Sequence, residues 1–231
     1  MRKLGMIGGM SWASTVLYYE KINRGVRKAL GGRHGAPLLV ESLDFEPIAN
    51  AQSAGDWQGL AGLLSDSARR LEAAGAEGLL ICSNTMHKLY PQIADAVEVP
   101  VLHIGDVTAD AMKREGIARA ALLGTRFTMS EGFLRDRLRD HGIELAVPDP
   151  ERMAEIDRII FEELVIADVR NESKRTLKTF LTNLAKDGNE AVVLGCTELV
   201  LLVNPTSNVL PIFDTTTLHA EAAKDWILAA A

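Results

Sequence analysis

The chain repeats itself, and the repeat restricts the fold more than any other feature. Leu4-Gly5-Met6-Ile7-Gly8-Gly9 and Ala120-Ala121-Leu122-Leu123-Gly124-Thr125 each place a short apolar run before a glycine turn. Each then enters a helix-length segment, the first carrying Tyr18, Tyr19 and Ile22, the second Phe133 and Leu138. Further on, Gly75-Ala76-Glu77 and Gly188-Asn189-Glu190 each lead into a second apolar run that ends in a cysteine, Cys82 or Cys196. The interval from Cys82 to Cys196 nearly equals that from Gly9 to Gly124. A chain built this way predicts two related halves.

Apolar runs at Leu4–Ile7, Leu38–Val40, Leu79–Ile81, Val101–Ile104, Ala120–Leu123, Val192–Leu194 and Val209–Phe213 read as buried strands. Segments with helical spacing run from Ser14 to Leu30, Gln58 to Ala74, Ile156 to Ile166 and Glu172 to Ala185, three of them stopping at glycine. Alternating strands and helices predict an α/β protein with mainly parallel sheets. The expected architecture is two pseudo-symmetric lobes with the active-site cleft between them. Residues 1–103 plus 215–231 form the first lobe and 104–214 the second. Ligands of such sheets bind beyond the carboxyl ends of the strands. Both glycine turns and both cysteines fall at those ends.

The 231 residues suffice for a substantial core, at 47% hydrophobic and 24% charged. A net charge of −6 and an aromatic content of 5% give no basic footprint or stacking platform for nucleic acid. The opening Met1-Arg2-Lys3-Leu4-Gly5-Met6-Ile7 starts like a secretion signal, but glycines break it and Ser11-Trp12 follow. No stretch has the length of a membrane span. These features predict a cytoplasmic protein, in which a pair of cysteines stays reduced.

Cys82-Ser83-Asn84-Thr85, Gly195-Cys196-Thr197-Glu198 and the loop Ile7-Gly8-Gly9-Met10-Ser11-Trp12 resemble the signatures of the aspartate/glutamate racemase family, most of all its broad-specificity bacterial members. Ala121-Leu122-Leu123-Gly124-Thr125 and Leu210-Pro211-Ile212-Phe213-Asp214-Thr215 extend the likeness along the chain. The resemblance implies an enzyme that works on a small amino-acid substrate without metal or pyridoxal cofactor, as a homodimer. It also implies that Met10 (through its backbone), Gln52 and Thr125 line the substrate site.

Two cysteines suit that chemistry. Inverting a stereocentre requires a proton to leave one face of the α-carbon and another to arrive on the opposite face. A thiolate and a thiol on either side do both, and exchange roles with the direction of reaction. A free thiol ionises near pH 8.5, so modest electrostatic tuning would make it a usable base. Each sulfur must come within roughly 3.5 Å of the reacting carbon, which sets them about 7 Å apart and excludes a disulfide. The carboxylate of the carbanion needs neutralising. Ser83, Asn84, Thr85 and Thr197, at the starts of the following helices, are candidates for that cradle.

Where strict aspartate racemases hold the side-chain carboxylate with basic residues, this chain reads Asn50-Ala51-Gln52 and Ile160-Phe161-Glu162-Glu163-Leu164. Broad or neutral specificity is therefore expected, with aspartate and glutamate open. A hydantoin racemase would retain both thiols, whereas a single-cysteine decarboxylase would lack one. A non-catalytic amino-acid binder is the rival from another class. His87 either tunes Cys82 or caps a helix, and His219 either approaches the half of Cys196 or is structural. A zinc site of Cys82, His87, Cys196 and His219 lacks the close ligand pairs of structural zinc. Gly5 to Gly9 departs from the dinucleotide pattern. Arg135, Arg137 and Arg139 read as a solvated helix face.

Overall fold

The strand–glycine–helix repeat builds two parallel sheets with the same strand order. The structure, a computed structural model, describes residues 1–166, 168–203 and 208–229, with only the backbone of Ile166. The chain divides into two compact units, residues 1–103 together with those from His219 onward, and residues 104–218.

The first unit runs β1 (Leu4–Gly8), α1 (Trp12–Leu30), β2 (Leu38–Ser42), α2 (Phe45–Ala54), α3 (Trp57–Ala73), β3 (Gly78–Ile81), a 3-10 turn (Thr85–Leu89), α4 (Tyr90–Ala94) and β4 (Val101–Leu102). Its strand order is β2-β1-β3-β4. Leu4 stands beside both Leu38 and Gly78, and Leu79 beside Val101. The central strands β1 and β3 are buried along their whole length. That is why their sequences read as unbroken apolar runs rather than alternating ones. Ile7, Leu79 and Ile81 pack under α2 and α3 with Ile48, Leu60, Leu64 and Leu71. Leu4, Met6, Leu80 and Cys82 pack on the other face with Tyr18, Ile22 and Val26 of α1. Each large apolar side chain buried this way contributes about 1.5–3 kcal/mol.

The second unit runs α5 (Ile104–Arg114), β5 (Arg119–Gly124), α6 (Arg126–Ser130), α7 (Gly132–Asp140), β6 (Glu144–Ala146), α8 (Pro150–Glu162), a 3-10 turn (Leu164–Ile166), α9 (Asn171–Lys186), β7 (Ala191–Gly195), a second 3-10 turn (Thr197–Leu201) and β8 (Ile212–Asp214). Its order, β6-β5-β7-β8, repeats the first. The last helix, α10 (Thr215–Leu228), starts in this unit and ends in the first, where Ala220, Ala223 and Ile227 join the α1 side of the sheet.

The repeated glycine–glutamate element serves the sheets. Gly75 and Gly188 take φ of 92° and 79° just after α3 and α9, a conformation glycine adopts without penalty. Glu77 then accepts the Lys3 N–H at 2.6 Å, next to the start of β1. Glu190 accepts the N–H groups of Ala118 and Arg119 at 3.0 Å, at the start of β5. Those two backbone donors hold the Glu190 carboxyl below its ordinary range. Both glutamates lie at the amino ends of the strands, away from the cysteines.

Several elements depart from the sequence reading. The expected strand Val101–Ile104 shortens to Val101–Leu102, and Ile104 already opens α5. The expected strand at Val209 begins only at Ile212, with Val209 exposed. Asp149 caps α8 by accepting from Arg152 N–H, with Pro150 at the first position, so that helix starts earlier than its apolar spacing suggested. Arg137, read as part of a solvated row, makes two hydrogen bonds to Asp106 and so ties α7 to α5. No described helix is long and apolar enough to cross a membrane.

Candidate active site

In the first unit the carboxyl ends of β1 and β3 lie side by side. Cys82 follows β3 directly, and its N–H donates to Ile7 O of β1 at 2.9 Å. Its thiol is wholly buried, and burial pushes its pKa well up. At the end of β1, Gly9 takes φ of 87°. A Cβ there would sit 2.1 Å from the carbonyl oxygen of Leu43, so only glycine lets these two loops meet. The Gly9 N–H donates to Thr15 Oγ1 at 2.8 Å, and Thr15 donates to Ser11 O at 3.0 Å. This brings Met10 back against Ile48 and Leu60, almost fully buried.

Ser83, Asn84 and Thr85 follow Cys82, the last two buried. They lead into a five-residue 3-10 turn rather than the α-helix expected from sequence. Ser83 Oγ accepts the Met86 N–H at 3.5 Å. Gln52 lies in the last turn of α2, half-buried.

Behind the Cys82 loop is a group that sequence reading did not assemble. His87 Nδ1 donates to Ser83 O at 2.7 Å, since a carbonyl can only accept. Its ring lies 4.9 Å from that of His103 and 5.6 Å from that of His219. His219 Nε2 donates to Leu102 O at 3.0 Å, so in the neutral ring Nδ1 accepts the Tyr18 hydroxyl at 3.0 Å. His219 therefore belongs with Cys82, not with the half of Cys196 where one sequence reading had set it. Burial holds His87 well below its ordinary pKa and His219 at about 4, and neighbouring His103 adds to both effects. These residues come from positions 18, 87, 103 and 219, and no local motif joins them.

In the second unit, Gly124 and Gly195 end β5 and β7 as neighbours. A Cβ on Gly124 would come within 3.0 Å of Gly195 O, which explains the paired glycines. Thr125 caps α6, its hydroxyl oxygen accepting the Thr128 N–H at 3.4 Å. Cys196 follows β7 and is buried, with 6% of its surface exposed. Its S–H donates to Glu198 Oε2 at 3.1 Å. Thr197 Oγ1, read from sequence as part of a carboxylate cradle, donates to the same oxygen at 2.5 Å. Burial first, then the charge of Glu198 and its hydrogen bond, push the Cys196 thiol well above its ordinary pKa. Both thiols are thus shifted away from the easy ionisation that sequence reading expected. Glu198 was visible only as the last letter of its motif; its place two residues after the cysteine is the signal.

Both cysteines are free. Each is the first residue past the carboxyl end of the equivalent inner strand of its own sheet. Among the described residues, no cluster of three or more His, Cys, Asp or Glu is arranged to hold a metal ion.

The sequence profile of Asp/Glu/hydantoin racemases matches residues 7–223. The broad-specificity amino-acid racemase RacX of Bacillus subtilis (strain 168) is 23% identical over 232 residues, covering 98% of each chain. A crystal structure of a Yersinia pestis protein regarded as an Asp/Glu racemase superposes with a TM-score of 0.94 at 45% identity, over 99% of this chain and 100% of that one. PH1733 of Pyrococcus horikoshii OT3, an aspartate racemase homologue, gives a TM-score of 0.85 at 32% identity, again over 99% and 100%.

Proposed function

Because the chain belongs to the Asp/Glu/hydantoin racemase family and is an isomerase of the racemase class, we propose that it interconverts L- and D-amino acids with Cys82 and Cys196 as alternating base and acid, without a cofactor. One thiolate takes the α-hydrogen, breaking the C–H bond and forming S–H. The opposite thiol gives its proton to the other face of the carbanion. The observation that carries this reading is the equivalent placement of the two free thiols, each just past the carboxyl end of an inner strand of a repeated sheet.

Burial disfavours both thiolates, and the α-ammonium of a bound amino acid brings a positive charge that favours them. Ser83, Asn84, Thr85 and the backbone N–H of Thr197 are assigned to the carboxylate, and Met10, Gln52 and Thr125 to the remaining contacts. The absence of Arg or Lys at Asn50-Ala51-Gln52 and Ile160–Leu164, together with the likeness to a broad-specificity relative, supports a broad range of substrates that includes neutral side chains beside aspartate and glutamate. We assign a homodimer, supported by the exposed apolar row Trp12, Val16 and Tyr19 along α1, which light scattering of the purified protein tests. Two thiols that must stay reduced support a cytoplasmic location.

Enantiomers have equal free energy, so kcat/KM is equal in the two directions for any variant, and racemisation rates alone cannot separate the cysteines. Isotope exchange can. Single L- and D-amino acids are incubated in deuterated water and followed by proton NMR and chiral chromatography, with 5-substituted hydantoins in parallel. The parent protein loses the α-proton signal as the opposite isomer grows. Cys82→Ser and Cys196→Ser each stop racemisation, and each exchanges at most one isomer, opposite for the two variants. Parent-rate racemisation by both variants overturns the mechanism, and turnover of hydantoins alone overturns the substrate class.

A further inference from the structure

The two halves repeat the cysteine but not its surroundings. Two residues after Cys196 stands Glu198, a carboxylate; two residues after Cys82 stands Asn84, a neutral amide. We propose that Glu198 is a catalytic residue, the proton acceptor that turns Cys196 from thiol into base, so that the two cysteines become bases by different routes. This inference rests on the two-cysteine reading above and deepens it.

The geometry is already that of a proton transfer. The Cys196 S–H points at Glu198 Oε2 over 3.1 Å, and the Thr197 hydroxyl donates to the same oxygen. Cys196 and Thr197 are buried and Glu198 is half-buried. Releasing the thiol proton to water would create a new charge in a site largely closed to solvent, which is costly. Passing it along the existing hydrogen bond only moves a negative charge from oxygen to sulfur. The S–H bond breaks, an O–H bond forms on Glu198, and the net charge of the group is unchanged. Cys196 thiolate then takes the α-hydrogen, and Cys82 gives its proton to the carbanion. At the end Cys196 is again a thiol, Glu198 is a carboxylic acid and Cys82 is a thiolate. The site resets when Glu198 loses its proton to solvent and Cys82 gains one. In the reverse direction the same states are crossed backwards: Cys82 thiolate takes the α-hydrogen, the Cys196 thiol gives its proton to the carbanion, and Glu198, a carboxylic acid at that stage, returns its proton to Cys196. Asn84 cannot take a proton, so Cys82 has no such partner at the matching position.

The test isolates one thiol at a time. In a Cys82→Ser protein, Cys196 is the sole base, and α-hydrogen exchange of one enantiomer into deuterated water reads its activity. In a Cys196→Ser protein, the exchange of the other enantiomer reads Cys82. Adding Glu198→Gln, which keeps the shape but cannot accept the proton, lowers the Cys196 exchange by roughly a hundredfold, the scale of general acid–base assistance. The same substitution lowers the Cys82 exchange by at least tenfold less, and that second reaction doubles as the check on folding. Glu198→Asp, which restores a carboxylate on a shorter arm, recovers part of the Cys196 exchange. Equal losses in both backgrounds, no loss in either, or a Glu198→Asp variant no better than Glu198→Gln overturns the role of Glu198. Racemisation at the parent rate by both single-cysteine variants instead overturns the underlying two-cysteine reading.

Discussion

Gly9→Ala tests how closely the β1 loop must approach its neighbour. Two costs are added. The first is the positive φ of 87°, which a side chain tolerates at about 1–2 kcal/mol. The second is the close approach: the new Cβ lies 2.1 Å from Leu43 O and 2.4 Å from Leu43 N, on a backbone that cannot swing aside like a side chain. Relief needs about an ångström of separation. That movement threatens the Leu43 N–H to Gly8 O bond at 3.1 Å and the Gly9 N–H to Thr15 bond at 2.8 Å. Each is worth about 0.5–1.5 kcal/mol, so the whole loss comes to about 2–5 kcal/mol. Gly55 provides the control. It ends α2 in the left-handed region with φ of 76° and has nothing within 4 Å of a built Cβ, so Gly55→Ala carries the first cost alone. Urea unfolding of the two variants, analysed as a difference in midpoint at common slope, should separate them by about 2 kcal/mol. Equal losses would show that the close approach to Leu43 costs nothing and refute the argument.

Acid should weaken the first unit. His219 is held at about 4 in the folded protein against 6.5 when free, and His87 is lowered as well. Between those values the unfolded chain binds more protons, so stability is full above about pH 6.5 and falls as pH drops toward 4, by about 3 kcal/mol for His219; a flat unfolding free energy from pH 7.5 to 4.5 contradicts this. Gly78→Ala drives a Cβ to 2.5 Å from the Trp226 ring and should lose about 1–3 kcal/mol. Because Trp226→Phe removes the clashing atoms, the double variant should be more stable than the sum of singles, and simple additivity refutes the contact. Glu163, 1% exposed, accepts from Ser173 at 2.5 Å and from Arg158 at 3.0 Å, so Glu163→Gln should cost about 1–3 kcal/mol in a thermal melt, with an unchanged melt as the contrary result.

The inner strands were legible because burial on both faces leaves a continuous apolar run, as in Leu79-Leu80-Ile81 and Val192-Val193-Leu194. Strand β6 was not, since it spans three residues of which only Leu145 is buried. The run Val101-Leu102-His103-Ile104 misled for a physical reason: Ile104 is fully buried, but as the first residue of α5 rather than the last of a strand. Helices α2, α5 and α10 were not assigned. The cysteines were found through their repeated contexts, and Glu198 stood inside the quoted motif without a role. The grouping of Tyr18, His87, His103 and His219 was invisible because tertiary packing, not spacing, brings them together.

The first unit is closed by a helix from a distant part of the sequence, α10. Arg2 N–H reaches Ile227 O at 3.0 Å and the Arg2 side chain reaches Trp226 O, while Ala220, Ala223 and Ile227 cover Leu4 and Met6. Helix α1 covers only part of that face, and α10 supplies the rest from the far side of the sequence. The other unit, residues 104–218, is drawn from one continuous stretch of sequence. A variant cut before His219 would therefore leave apolar surface of the first sheet exposed beside α1, a surface prone to association.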